Sequence, residues 1–321
     1  MTGMTTIAVL GWFPSMPEDL ARHLPDDRVV RFDRRGPFDE AAEIEVALGA
    51  PAGELIGEFL AHAPRLRWLH TMSAGVERFL VPELVGRSGF TLTNNSGPYD
   101  VPIAEFVLGA MLAAAKRLPE HLRSQRRGRW DKEGQGTELR GSTVVVLGLG
   151  SIGGEVARLA HAFGMRVVGV RRRLGLPAVP GVDEVIPPER LADAVAGADF
   201  LAITAPLTPA TRGLVSREVI ARMRPGAWIV NIARGAIVDE AALLEALREK
   251  RIGGAAIDAW WTEPLPADSE WWRLEDVIAT PHVSHSSPRV RERTMALFIE
   301  NLRRWKAGEP LLNVVDVRAG Y

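Results

Sequence analysis

The stretch Thr143-Val-Val-Val-Leu-Gly-Leu-Gly-Ser-Ile-Gly-Gly154 joins a short apolar run to a closely spaced set of glycines. Four consecutive apolar residues, 144–147, are typical of a strand covered on both faces. Gly148, Gly150 and Gly153 follow in the G-x-G-x-x-G spacing. The first glycine permits a tight turn, the second lets a pyrophosphate approach the backbone, and the third lets a helix pack on the strand. The stretch therefore predicts a strand that leads into an anion-binding turn.

The residues after this turn matter because a glycine triplet alone is a weak signal. The pattern from Glu155 to Phe163 is helical, and Gly164 can end that helix. Met165–Val170 then predicts the second strand of a βαβ unit. A merely structural turn is the alternative, and the βαβ context favours a dinucleotide site.

Length and composition restrict the class of protein. A chain of 321 residues is long enough for two domains, each with its own core. Hydrophobic content of 46%, with 25% charged residues, is ordinary for a soluble globular protein. The net charge of -1 gives no general attraction to nucleic acid, and the absence of cysteine excludes disulfides and thiolate metal sites. We predict no metal site.

The chain shows no targeting signal that we can identify. Residues 1–10 lack a basic region followed by a signal-type apolar run. No segment approaches the roughly 18 apolar residues of a membrane span. The expectation is a cytoplasmic protein without membrane contact.

Strands and helices alternate on both sides of the glycine-rich turn, which predicts an α/β protein. Before the turn, strands are predicted at Thr6–Gly11, Val29–Phe32, Glu45–Leu48, Leu66–Met72 and Thr91–Asn94, and helices at Pro17–Leu24, Gly53–His62 and from about Pro102 to Leu118. After it, strands are predicted at Phe200–Thr204, Trp228–Asn231, Ala255–Ala259 and Val277–Ala279, and helices at Ser216–Met223, Glu240–Lys250 and Arg291–Trp305.

Two segments allow more than one interpretation. In Ser73–Val76, small residues open a possible helix and leave N–H groups for an anion, or they form an ordinary turn. Arg123–Lys132 is basic around Trp130. Because its charge is balanced elsewhere, a solvated connection or a subunit-contact arm is favoured over a nucleic-acid patch.

Three polar residues each follow a predicted strand: Arg234, Glu263 and His282. In doubly wound folds, ligands bind outside the carboxyl ends of the strands, so these side chains are expected at one cleft. Taken singly, each has an ordinary structural explanation: a surface ion pair, a solvated loop or a satisfied histidine.

Taken together, several segments resemble the D-isomer-specific 2-hydroxyacid dehydrogenases. The resemblance covers residues from about 66 to 300 and includes the glycine-rich turn. The other segments that carry it are Ser73–Val76, Ala205–Thr211 (APLTPAT), Asn231–Glu240 (NIARGAIVDE), Asp258–Pro266 (DAWWTEPLP) and Thr280–Val283 (TPHV).

The resemblance implies a Rossmann doubly wound parallel sheet inserted in a discontinuous, flavodoxin-like α/β substrate domain. The substrate domain would comprise residues 1–99 and 286–321, and the dinucleotide-binding domain residues 100–285. Crossings near Pro98–Asp100 and His282–Pro288 would act as hinges, and closure of the cleft would exclude water. A homodimer is also implied.

The resemblance further assigns roles to the site residues. His282 would be the general acid/base, with Glu263 as its carboxylate partner. An anion beside an imidazole favours the charged form of the ring and keeps it a proton donor. Arg234 would hold the substrate carboxylate through its planar fork of donors. The backbone N–H groups of Ala74, Gly75 and Val76 would cradle the same carboxylate.

Contacts to the cofactor are implied at the residues of the glycine-rich turn and at later strand ends. The set is Gly148, Gly150, Ser151, Ile152, Gly153, Arg171, Arg172, Ala205, Pro206, Thr211, Ile232 and Asp258. Sites that prefer NAD carry an acid roughly 20 residues beyond the turn, where it binds the ribose 2′-hydroxyl. This chain has Arg171-Arg172-Arg173 there, and arginine binds a 2′-phosphate through charge-assisted hydrogen bonds. NADP(H) is therefore the expected cofactor, with NAD(H) possible.

Within the family, the chain most resembles the glyoxylate and hydroxypyruvate reductases. His285 and the pairs Trp260-Trp261 and Trp271-Trp272 match no subgroup clearly, so larger 2-oxo acids stay open as substrates. A formate dehydrogenase-like activity is disfavoured, because that relative has glutamine in place of Glu263. A nicotinamide-sensing, corepressor-like interaction protein is the alternative from another functional class.

Overall fold

The structure, a computed structural model, describes residues 3–10, 14–51, 53–132 and 134–320. The chain divides into two compact units. The first comprises the residues up to Tyr99 together with those from Ser287 on, and the second comprises Asp100–Ser286. Each unit has a parallel sheet of its own.

The first sheet has five strands in the order β2-β1-β3-β4-β5, and the second has seven in the order β12-β11-β10-β9-β6-β7-β8. The strands are β1 (Thr6–Leu10), β2 (Arg28–Arg31), β3 (Val46–Gly49), β4 (Trp68–His70), β5 (Thr91–Thr93), β6 (Thr143–Leu147), β7 (Arg166–Val170), β8 (Glu184–Ile186), β9 (Phe200–Ile203), β10 (Trp228–Asn231), β11 (Gly254–Ile257) and β12 (Val277–Ala279). In both sheets the order reverses direction beside the first strand of the unit, as in doubly wound folds.

Helices connect the parallel strands. They are α1 (Met16–His23), α2 (Ile56–His62), α3 (Pro82–Val85), α4 (Asp100–Ala115), α5 (Leu118–Arg126), α6 (Ser151–Ala162), α7 (Leu191–Ala196), α8 (Arg217–Arg222), α9 (Glu240–Arg248) and α10 (Arg289–Ala307). The predicted fold class, α/β with a Rossmann-type parallel sheet, is confirmed.

Most predicted elements are present with ends shifted by a few residues, and some predictions were wrong. No α-helix opens at Ser73–Val76; bends lead instead into a single 3-10 turn at Glu77–Phe79. The helix predicted from about Pro102 to Leu118 corresponds to α4, whereas α5, which follows Arg117 in a left-handed conformation, was not predicted. The last residue of the first predicted strand, Gly11, lies outside the described residues.

The first sheet is covered on both faces, as the four consecutive buried residues of β1 show. Ala8 and Leu10 belong to one buried cluster, while Ile7 and Val9 belong to another. Successive side chains of a strand point to opposite faces, so the two clusters lie on opposite sides of the sheet. Phe298 of α10 lies in the second cluster. The C-terminal helix is therefore part of the first unit's core.

The second sheet sets the frame for the polar residues that follow its strands. Asn231, the last residue of β10, is in register with Ile257, the last residue of β11. Ile257 is in turn in register with Ala279, the last residue of β12. Three neighbouring strands thus end level with one another, and the segments that leave them start at one edge of the sheet.

Candidate active site

His282 and Glu263 form a close pair at this edge. Nδ1 of His282 lies 3.0 Å from Oε1 and 3.0 Å from Oε2 of Glu263. A carboxylate only accepts hydrogen bonds, so Nδ1 is the nitrogen that carries the proton in this pair. Oε1 also accepts from the backbone N–H of Trp260 at 2.9 Å. The carboxylate is thus fixed from its own loop, and Nε2 of the imidazole lies outside the pair.

Asp258 fixes the turn that carries His282. Its carboxylate accepts hydrogen bonds from the hydroxyl of Thr280 at 2.6 Å and from the N–H groups of Val283 and Ser284 at 2.9 Å each. His282 itself has a left-handed φ of 56°. This conformation is rare for residues other than glycine and needs support from its surroundings. The bonds to Asp258 on both sides of His282 provide that support.

The pKa of Asp258 shows how strongly these donors act. Burial by itself raises the pKa of this carboxyl, but the hydrogen bonds from Ser284, Thr280 and Val283 outweigh burial and hold the pKa below its ordinary value. The side chain was predicted as a cofactor contact. The hydrogen bonds of Asp258 to the 280–284 turn were not predicted, because the sequence after β12 gives no sign of them.

Four tryptophans anchor the loop that carries Glu263. Trp261 stacks on Trp271 with ring centroids 5.3 Å apart, and Trp260 meets the edge of Trp271 at 5.5 Å. Each indole N–H donates to an oxygen of the second unit: Trp260 to Thr280 O, Trp261 to Val238 O, Trp271 to Glu240 Oε1 and Trp272 to Pro266 O. The sequence left these pairs without a role. The structure shows that they fold the 260–272 loop against the core.

Arg234 lies in a loop that packs directly on the Glu263 loop. Asn231 braces it, because its side-chain amide donates to Arg234 O at 3.0 Å and its Oδ1 accepts from the N–H of Ala233 at 3.1 Å. A Cβ on Gly235 would lie 2.5 Å from the carbonyl carbon of Trp260 and 2.4 Å from the nitrogen of Trp261. Only glycine permits this approach, so the loops after β10 and β11 form one contact surface.

A second histidine lies beside the pair. The rings of His282 and His285 meet edge to face with centroids 6.4 Å apart. Burial lowers the pKa of His285, and a charge on His282 lowers it further, while Asp258 acts in the opposite direction. Burial thus favours the neutral form of His285.

The glycine-rich turn has the packing that its spacing predicts. Gly148 has a φ of 101°, and a Cβ there would lie 2.7 Å from Cα of Ala205. A Cβ on Gly153 would lie 1.9 Å from the carbonyl oxygen of Gly148. By contrast, a Cβ built on Gly150 would have no atom of another segment of the described chain within 4 Å. The first and third glycines serve packing, and the space at the second, before the first turn of α6, fits an approaching pyrophosphate.

The remaining predicted cofactor contacts surround this turn or later strand ends. Ala205 is buried against Gly148, and Ile232 is buried after β10. Thr211 closes the 206–211 loop by donating to Pro206 O at 2.7 Å. The guanidinium of Arg171 donates to the carbonyl oxygens of Leu176 at 2.5 Å and Pro177 at 3.1 Å, whereas Arg172 is exposed. Part of the donor capacity of Arg171 is thus used by its own loop.

The basic stretch around Trp130 is partly helical, since α5 ends at Arg126. Arg123 donates to the carbonyl oxygen of Glu275 and lies 3.6 Å from the carboxylate of Asp276. Arg127 lies 3.6 Å from the carboxylate of Glu275. Trp130 is 89% exposed. Acids of the same unit therefore neutralise part of the stretch.

The described residues contain neither a cluster of potential metal ligands nor a membrane-spanning helix. No group of three or more His, Cys, Asp and Glu within them is placed to hold a metal ion. Among the same residues, no helix has the length and apolar character needed to cross a bilayer.

Comparison with known proteins identifies the family. Residues 108–284 match the family model described as D-isomer specific 2-hydroxyacid dehydrogenase, NAD binding domain. The chain belongs to this family. Among its relatives, a glyoxylate/hydroxypyruvate reductase B of Pectobacterium carotovorum is 38% identical over 272 residues, which cover 82% of this chain and 83% of the relative.

Two further relatives show the range of the 2-hydroxyacid dehydrogenase family. A D-3-phosphoglycerate dehydrogenase of Methanocaldococcus jannaschii is 34% identical over 87% of this chain, which spans only 56% of that protein's length. A D-isomer specific 2-hydroxyacid dehydrogenase of Xanthobacter autotrophicus, solved in complex with NADPH and MES, has a TM-score of 0.84 and 31% identity, with full coverage of both chains. As a family member, the present chain is a nicotinamide-dependent oxidoreductase.

Proposed function

We propose that this chain is an NADPH-preferring reductase that converts a small 2-oxo acid, of the glyoxylate or hydroxypyruvate type, to the D-2-hydroxy acid. The observation that carries the proposal is the His282–Glu263 pair, held by Asp258 and by Trp260 at the carboxyl ends of β11 and β12. A carboxylate behind an imidazole fixes the tautomer and stabilises the protonated ring, as general acid catalysis requires.

In the proposed reaction, His282, Glu263 and Arg234 each have one role. Bound nicotinamide supplies the hydride that the carbonyl carbon of the substrate accepts. Glu263 stabilises the protonated ring of His282 before the transfer, Nε2 then donates its proton to the carbonyl oxygen, and solvent afterwards returns a proton to the neutral imidazole. Arg234 binds the substrate carboxylate and polarises the carbonyl group. The N–H groups of Ala74, Gly75 and Val76 bind the same carboxylate.

The residues of the second unit suit the cofactor. The space at Gly150, between the tightly packed Gly148 and Gly153, fits the pyrophosphate. Arg171 and Arg172 follow β7, where the adenine ribose is bound in Rossmann folds, and their charge favours a 2′-phosphate. The relative from Xanthobacter that is solved with NADPH supports the same preference. The substrate class is supported by the 38% identity to a protein named as a glyoxylate/hydroxypyruvate reductase.

An initial-rate panel tests the proposal. Glyoxylate, hydroxypyruvate, pyruvate and phenylpyruvate are each supplied with NADPH and with NADH, and D-3-phosphoglycerate is supplied with the oxidised cofactors. We expect the highest kcat/KM with NADPH and either glyoxylate or hydroxypyruvate. Preference for phenylpyruvate would indicate a reductase of larger oxo acids. Cofactor binding without turnover on any substrate would contradict an enzymatic function.

His282→Asn tests the proposed acid within the same assay. The variant keeps a polar side chain but cannot transfer a proton, so kcat should fall by about 10²–10⁴-fold while cofactor binding is unchanged. Reduction by the unmodified protein should slow as pH rises, because the reaction consumes a proton. A variant that keeps the full rate and the same pH profile would rule out His282 as the acid.

A further inference from the structure

In the Ser73–Val76 segment of the first unit, the backbone carbonyl groups and the backbone N–H groups differ in their hydrogen bonding. Every carbonyl oxygen from Met72 to Val76 accepts a hydrogen bond within that unit. In the described part of the chain, however, the N–H groups of Ala74, Gly75 and Val76 donate to no protein acceptor. Three adjacent donors without an acceptor form a site for an anion.

The side chains that bind the carbonyl oxygens determine where these donors point. A trans peptide is planar, with its C=O and N–H directed to opposite sides. A bond that fixes the carbonyl of one residue therefore also aims the N–H of the next. Ser73 O is fixed by the N–H of Asn95 and the hydroxyl of Thr71, each at 3.0 Å, which aims the N–H of Ala74.

The other two peptides are each fixed by one side chain. Nδ2 of Asn94 donates to Ala74 O at 3.0 Å, which aims the N–H of Gly75. The hydroxyl of Ser73 donates to Gly75 O at 2.7 Å, which aims the N–H of Val76. Val76 itself is buried, 1% exposed, so the far end of the segment is anchored in the core.

Asn94 is itself held rigidly. Its Oδ1 accepts from the N–H of Ser96 at 3.2 Å, and its backbone N–H donates to Asn313 O at 3.1 Å. Both polar atoms of the side chain thus form hydrogen bonds: Oδ1 within the 94–96 segment and Nδ2 to the 73–76 segment. Among the described residues, Asn94 alone donates to Ala74 O, so it controls the central peptide of the three.

We infer that Asn94 is a positioning residue that presets the Ala74–Val76 N–H groups for the substrate carboxylate. The inference rests on the proposed function, in which these groups bind that carboxylate. Asn94 touches neither substrate nor cofactor in this scheme. It acts by keeping the central peptide from rotating, so that the donors need no reorganisation when the carboxylate arrives.

The test compares Asn94→Ala with a matched control. Asn94→Ala removes the donor to Ala74 O, and we expect KM for the oxo acid to rise about tenfold, with kcat changed less than KM and KM for NADPH unchanged. Ser73→Ala, which frees the adjacent peptide, should shift KM in the same direction. Asn313→Gly is the control: Asn313 donates to Asn94 O and Ser96 O, has a left-handed φ of 57°, and does not bind the 73–76 segment.

Binding of oxamate separates this inference from the proposed function. Oxamate has the carboxylate of a 2-oxo acid but is not expected to be reduced, so its dissociation constant reports on the N–H groups even without turnover. We expect about tenfold weaker oxamate binding in Asn94→Ala and no change in Asn313→Gly. Unchanged oxamate binding in Asn94→Ala and Ser73→Ala, or equal weakening in Asn313→Gly, would overturn the inference. Oxamate binding without reduction of any oxo acid would contradict only the proposed function.

Discussion

Arg171 and Arg172 carry the same charge at one strand end but differ in exposure. Arg171 donates to two carbonyl oxygens of its own loop, so part of its donor capacity is used within the protein. Arg172 is exposed at the same strand end. The sequence placed both beside the adenine ribose and favoured Arg171 for the 2′-phosphate. Because part of the Arg171 donor capacity is used by its own loop, we expect Arg172 to contribute to binding of the 2′-phosphate as well.

We predict that Arg172→Gln lowers kcat/KM for NADPH by about 10- to 100-fold, the worth of a charge-assisted hydrogen bond to phosphate. kcat/KM for NADH should change little, because NADH has no 2′-phosphate. Arg173→Gln is the matched control, since it removes the same charge at the next position. Arg171→Gln should affect both cofactors, because it frees the 171–177 loop. Equal losses with NADPH and NADH in Arg172→Gln would argue against phosphate binding.

At the scale of elements, the loops after β10 and β11 pack directly on each other. Gly235 is the point of contact, since a Cβ there would collide with the backbone of Trp260 and Trp261. These loops carry Arg234 and Glu263. Their relative position is thus fixed by a glycine that contributes no side-chain chemistry.

Gly235→Ala should therefore reduce activity more than an ordinary surface change. The added methyl group meets backbone, which cannot move aside cheaply, so we expect a loss of about 1–3 kcal/mol in stability and at least a tenfold fall in kcat/KM. Gly197→Ala is the control, because no atom lies within 4 Å of a Cβ built there. Thermal denaturation and initial rates measure both effects. Equal behaviour of the two variants would show that the contact does not matter.

The sequence predicted elements where the pattern was local and strong, and it failed where tertiary contacts decide. Strands β10 and β12 have the predicted bounds, and the glycine-rich turn packs as its spacing implies. The short strand β8 was missed, because it begins with Glu184 and has only two apolar residues. Likewise, the roles of Asp258 and the tryptophan pairs depend on bonds across about 20 residues of chain, such as Trp260 to Thr280. Family resemblance named His282 and Glu263, but only the structure shows what holds them.

At the scale of the whole molecule, each unit contains a histidine whose pKa is lowered by burial. In the first unit, burial lowers the pKa of His70 to about 4, and the neighbouring Asn95 opposes this shift. The hydroxyl of Thr93 accepts from Trp68 Nε1 at 2.8 Å and lies 2.8 Å from Nδ1 of His70. In the second unit, the pKa values of His285 and Asp258 are lowered.

The sign of the resulting pH dependence follows from these shifts. A histidine whose folded pKa lies below its unfolded value binds fewer protons when folded, so stability falls as pH decreases through the window between the two values. For His70 this window runs from the ordinary 6.5 down to about 4. Asp258 has an ordinary pKa of 3.8, which is lowered further on folding, so it contributes only at lower pH. His285 acts with the same sign as His70.

We therefore predict that lowering the pH from 7.5 to 5.0 costs the protein about 2 kcal/mol of stability through His70. His70→Gln keeps one acceptor and one donor but cannot titrate, so this variant should lose correspondingly less over the same interval. The exposed His161→Gln serves as the control and should follow the unmodified protein. Urea unfolding monitored by tryptophan fluorescence at both pH values measures the difference, and Trp68, which stacks on Phe298 beside His70, reports on the first unit. Parallel losses in all three proteins would show that the stability of the fold does not depend on a neutral His70.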